Sequence, residues 1–125
     1  LICDIVKNMN QQELEDRLID FAVKIIELID MLPGTIAAKH LANQLSRSGT
    51  APALNYGEAR GAESRKDFIH KNKIILKELR ESLICMKIIC RVKFIEAKAP
   101  LLENLIDEND QLVSIFVKTL KSLGS

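Results

Sequence analysis

The chain has 125 residues and a mass of 14.1 kDa, enough for one ordinary domain. Its 47% hydrophobic and 28% charged residues permit a packed core and exclude wholesale disorder, while eighteen basic against seventeen acidic groups exclude a polybasic arm or an acidic tail. Aromatics are only 4%, with no Trp, five Gly and three Pro, which disfavours an all-β fold and leaves a soluble, helical, single domain as the expectation.

Glycine and proline fall at Pro33-Gly34, between Gly49 and Gly61, at Pro100 and at Gly124, and four segments with helical periodicity lie between them. Residues 1–9 lie outside the periodic pattern and are assigned to a tail or a contact with another subunit; 10–125 form the bundle. The first segment, 10–32, opens with Asn10 and Glu13 in an N-cap pattern. Leu14, Leu18, Phe21, Ile25, Leu28 and Leu32 then form one apolar stripe, which Pro33 ends by disfavouring the α conformation at Leu32. The second, 35–61, starts from Thr35 and carries Pro52 inside it, which removes the hydrogen bond to the Ser48 carbonyl. One helix kinked near 49–52 is expected, with two helices as the alternative. The third, 64–93, is capped by Ser64 with Asp67 three residues on. Its stripe is Phe68, Asn72, Ile75, Leu79, Ser82 or Leu83, Met86 and Cys90. The fourth, 99–123, has Pro100 in its first turn and continues through Leu102, Leu105, Asn109, Leu112, Phe116, Leu120 and Leu123. Four helices of similar length joined by short turns predict an all-α, antiparallel up-down four-helix bundle.

Charge is unevenly divided among these segments. Residues 1–34 carry three basic and seven acidic groups, net −4, whereas 65–98 carry ten basic and four acidic, net +6. The third helix is therefore a basic element between acidic neighbours. Its cations, Arg65, Lys66, Lys71, Lys73, Lys77, Arg80, Lys87 and Arg91, are the candidate nucleic-acid contacts. The alternative is a solvated face with intersubunit or interhelix ion pairs.

Continuing the Leu41–Leu45 stripe turns Ser48, Pro52, Asn55 and Ala59 toward the core, where polar groups need partners. In a hairpin of the second and third helices, facing residue numbers sum to about 125. Arg47 then faces Glu78, and Asn55 faces His70. A partly buried Arg47–Glu78 or Arg47–Glu81 pair is expected, fixing helix register.

No apolar run approaches the ~20 residues of a membrane span, and Leu1–Val6 is too short for a signal peptide. A cytoplasmic protein with no membrane partner is expected. The three cysteines, Cys3, Cys85 and Cys90, are odd in number and form no CxxC. Cys85 and Cys90 would stand about 140° apart on a helix, so reduced thiols are expected. Paired Glu-x-x-His motifs of a di-iron bundle are missing; only Asp67-x-x-His70 has that spacing. The sequence offers no GxSxG, Walker A or GxGxxG motif. No metal, cofactor, small-molecule substrate or catalytic set is expected, and with few aromatics any nucleic-acid contact would be to the backbone.

Several fragments together resemble the 23S rRNA intervening-sequence protein family. They are Gln44-Leu45-x-Arg47-Ser48-Gly49, Asn55-x-x-Glu58-Ala59, Ser64-x-x-Asp67-Phe68 and Lys77-Glu78-x-x-Glu81-Ser82, with Asp20-Phe21-Ala22 and Leu32-Pro33 before them. The resemblance spans roughly 14–123 and departs from the family pattern at Ala51-Pro52 and at Cys85. It implies a bacterial four-helix bundle, a homo-oligomer, specifically a pentamer, and a relation to the accessory variability determinant of diversity-generating retroelements, which partners a reverse transcriptase and nucleic acid. Structured RNA or a nucleoprotein is the partner this implies. Arg47, Ser48, Asn55, Glu58, Glu78 and Glu81 carry over as structural or interface groups.

Overall fold

The computed structural model describes residues 9–125; the proposed role of 1–9 as a tail or subunit contact, and Cys3 with it, falls outside them except for Met9. Four helices, α1 (Gln11–Ile29), α2 (Ile36–Arg60), α3 (Arg65–Arg91) and α4 (Pro100–Ser122), make up the fold, with no strand among the described residues. Three of them start where a short polar side chain can accept an otherwise orphaned N–H. Asn10 Oδ1 accepts from Glu13 N at 2.8 Å, Thr35 Oγ1 from Ala38 N at 3.2 Å and Ser64 Oγ from Asp67 N at 3.0 Å. Pro100 opens α4 without a side-chain cap.

The ends are less regular. Helix α1 stops at Ile29, three residues before Leu32, and the chain tightens through Met31 N–Leu28 O and Leu32 N–Ile29 O bonds of 3.0 Å each. Beyond α3, Phe94 N bonds to Ile89 O at 3.3 Å and Lys93 N to Cys90 O at 3.2 Å, the double bond of a Schellman end. That geometry places Lys93, rather than a glycine, at a φ of 60°. Gly124 (φ 82°) fills the same position after α4.

Helix α1 adjoins α2 and α4, and α3 adjoins α2 and α4, while the diagonal pairs α1–α3 and α2–α4 do not adjoin. The four helices thus form a four-cornered bundle around one core. Phe21, Ile25, Leu45, Ile75, Leu79, Met86, Leu105 and Phe116 lie at its centre, fully buried. Along α2 rising residue numbers meet falling ones on α3: Leu41 O accepts from Cys85 Sγ at 3.6 Å, Arg47 meets Glu78 and Glu81, and Glu58 meets Lys71.

Helix α2 is one helix through Pro52. Its core positions beyond Gly49 are Pro52, Tyr56 and Ala59, so Tyr56 takes the place expected for Asn55 and sets its ring edge-on to Phe116 at 5.8 Å. On α3 the buried line shifts likewise, to Cys85 and Ile89 rather than Cys90. At Gly49, α1 and α2 come so close that a Cβ would stand 2.7 Å from Ile25 Cγ2.

Candidate functional site

Helix α3 repeats every ~3.6 residues, so positions stepping alternately by four and three stay on one side. Lys66, His70, Lys73, Lys77, Arg80, Ile84, Lys87 and Arg91 follow that stepping, lie within about 50° of one line, and are all exposed. The row is ~37 Å long at ~1.5 Å per residue. His70, absent from the candidates drawn from charge alone, belongs to it. Among the described residues none of the row's lysines and arginines forms an ion pair.

Two of the three acids of α3, Glu78 and Glu81, are turned elsewhere, toward α2. Arg47 Nη1 donates to Glu78 Oε2 at 2.8 Å, and its Nη2 donates to Glu81 and to Gln44 Oε1. Glu78 first, then Glu81, raises the affinity of the Arg47 guanidinium for its proton. One arginine thereby holds two carboxylates, and the expected pair is a three-residue clamp. Lys71 sits off the row and donates to Glu58 Oε2 at 2.9 Å, a hydrogen bond that raises its own pKa. Arg65 also leaves the row, its Nη2 donating to the Leu123 carbonyl. Of the eight candidate cations, six line up and two brace neighbouring helices.

The remaining polar candidates are structural. Ser48 and Ser82 are fully buried with hydroxyls 2.9 Å apart, and Ser82 Oγ is 3.0 Å from the Glu78 carbonyl. Asn55 donates to Ala51 O on its own helix at 3.1 Å instead of meeting His70. Two buried asparagines face the core from α3 and α4. Asn109, with its amide oriented by its neighbours, gives Nδ2 to Leu79 O at 2.9 Å and takes Leu83 N at 3.2 Å. Asn72 donates to Phe68 O at 2.7 Å, while its Oδ1 has no hydrogen-bond partner.

Toward the C-terminal end of α3, exposed Ile84 and Ile88 stand among the cations. A groove of about 470 Å³ runs between α2 and α3 there, with Leu41 and Cys85 in its floor and His40, Arg80, Ile84 and Ile88 around it. Burial, with a smaller push from Glu81, raises the Cys85 thiol to about 11, which keeps it protonated and unreactive near neutrality. Among the described residues no three His, Cys, Asp or Glu side chains converge as metal ligands, and no helix is long and apolar enough to cross a membrane.

These features define an all-α four-helix bundle carrying a cationic edge and a mixed groove. The chain belongs to the family of 23S rRNA-intervening sequence proteins, whose sequence model matches residues 10–116. It is similar to a protein of unknown function from the S23 ribosomal protein family of Bacteroides thetaiotaomicron, solved by crystallography. The two are 29% identical with a TM-score of 0.78, over 86% of this chain and 98% of that one. No curated protein matches the chain.

Proposed function

We propose that this protein is a non-catalytic bundle that associates with copies of itself and holds structured RNA, alone or within a nucleoprotein, on the outer edge of α3. The observation that carries this reading is the row from Lys66 to Arg91, whose cations have no carboxylate partner among the described residues while Glu78 and Glu81 of the same helix are held by Arg47 of α2. A straight row of cations without Phe, Tyr or Trp suits a phosphate backbone more than base stacking. Association repeats the edge and multiplies its charge. The half that carries Lys66, His70, Lys73 and Lys77, with no aliphatic member, is assigned to RNA. The apolar break at Ile84 and Ile88 supports the second reading, assembly, for the other half.

The test is titration of a structured RNA at several salt concentrations. Each phosphate contact contributes a slope of about −0.9 in log K against log salt for a duplex. Replacing Lys66, Lys73 and Lys77 together by Gln is expected to flatten that slope by two to three contacts' worth, about 2–3 units. Lys71→Gln, which removes a cation already engaged by Glu58, is expected to leave it nearly unchanged. Salt-independent binding, or a triple variant that binds like the parent, would refute the RNA assignment.

A further inference from the structure

We infer that α1 of one copy docks, head to tail, on the α2–α3 groove of a second copy. The inference rests on the self-association proposed above and names its surfaces. Two large apolar rows remain exposed on the bundle. On α1, Ile19, Val23 and Ile26 are 45%, 50% and 50% exposed; on α3, Ile84, Ile88 and Val92 are 56%, 42% and 50% exposed. Each row follows three- and four-residue steps, so each is a continuous helix edge of ~11–12 Å. Scattered apolar residues are ordinary on a surface; two aligned triads of the same length are an interaction pattern.

The charges around the triads are opposite. Asp16 and Asp30 extend the α1 row at its two ends, and Asp20 and Glu27 flank it. None of these four forms an ion pair among the described residues. Arg80, Lys87 and Arg91 stand around the α3 row, also without an ion-pair partner. Apolar centres would meet with acidic against basic rims, the arrangement that selects a partner and its orientation. Two α1 faces, or two α3 faces, would set like charges together instead.

Position decides the symmetry. Helices α1 and α3 occupy diagonal corners, so a single copy presents both faces at once, in different directions. Contacts between two different faces are heterologous, and they propagate from copy to copy until the rotation closes a ring.

Solution mass measurement on two exposed-site variants tests this. Val23→Lys spoils the α1 face, and Ile88→Asp spoils the α3 face; circular dichroism of each is expected to match the parent. Each variant alone is expected to run as the 14.1 kDa monomer. Mixed in equal amounts, they retain one intact α1 face and one intact α3 face between them. The mixture is therefore expected to form a one-to-one dimer at twice that mass and nothing larger. A parent that associates while either variant keeps the parental mass, or a mixture that stays monomeric, would overturn the docking and leave self-association standing. Such results would point to another occupant of the groove, such as residues 1–8. A parent that is itself monomeric at tens of micromolar would overturn both.

Discussion

Gly49 is the point at which α1 and α2 press together, and the atom it lacks is what allows the contact. An added Cβ would meet the branched carbons of Ile25 at 2.7, 2.8 and 3.1 Å, and Ile25 is itself fully buried. Gly49→Ala gains up to ~1 kcal/mol of helix propensity but overpacks a site with no room to give, a cost of about 1–3 kcal/mol. Net destabilisation is expected, read as a lower urea midpoint with an unchanged slope. Asn72 predicts the opposite sign. Its Oδ1 is buried without a partner, so Asn72→Leu, which keeps the branched shape with bulkier methyl ends, is expected to raise stability by about 1–2 kcal/mol in the same measurement. A lower midpoint would show that Oδ1 is satisfied in solution. Sequence alone places Asn72 on an inner stripe, because 3.6-residue periodicity survives without any structure, and reads Gly49 only as part of a kink near Pro52. It cannot show that Ile25 lies against Gly49, nor which of two amide atoms finds a partner. Those facts belong to pairs of helices.

At the scale of the element, α3 does two things with one sequence. Its inward line, Asn72, Ile75, Leu79, Ser82, Cys85, Met86 and Ile89, packs the core, and its outward line carries the cations. Periodicity makes the inner line legible except near Cys85 and Ile89. There a three- or four-residue step is equally regular, and packing against α2 chooses. The same ambiguity beyond Pro52 exchanges Asn55 for Tyr56. Charge makes the outer line legible as a basic segment, but the cross-helix bonds that withdraw Lys71 and Arg65 from it depend on Glu58 and Leu123, far away in sequence. Helix ends are the least legible: a left-handed Lys93 offers no glycine to announce it. The element also carries a pH dependence. Burial in the fold raises the Cys85 thiol to about 11, whereas an unfolded chain titrates near ~8.5. A raised pKa means that the native state holds the proton more tightly. Its contribution is complete below the unfolded value and is lost as pH rises from about 9 toward about 11. Burial also raises the Tyr56 hydroxyl, adding a loss of the same sign at higher pH. The urea midpoint is expected to fall over that window, and Cys85→Ala to make the fall shallower; an equally steep decline in the variant would remove Cys85 as its source.

For the whole molecule, the near-neutral total of +1 conceals a division of labour between corners. The acidic, partly apolar edge of α1 and the basic edge of α3 point away from each other across the bundle diagonal. The outer row carries Lys66, His70, Lys73 and Lys77 in the half of α3 nearest its start; in the half nearest its end cations mix with Ile84 and Ile88, and Val92 follows at the cap. RNA binding and self-association are thus assigned to successive stretches of one helix, and the two sets of variants are expected to separate them. Lysine changes at 66, 73 and 77 should weaken RNA binding and spare the mass. Changes at Val23 or Ile88 should lower the mass and weaken RNA binding only through the lost repetition of the edge.

Helices α1 and α4 adjoin, and a small cavity at one end of the bundle is bordered by Met9 and Asn10 together with Ser122 and Leu123. The described chain therefore finishes beside the place where its bundle starts. A closed circuit of helices has no obligatory first member. A circular permutant that links Ser125 to Met9 through a short flexible tether and opens between α3 and α4 would keep every packed helix pair. The cationic helix would then come last in the chain, and its free end could be labelled without touching the row.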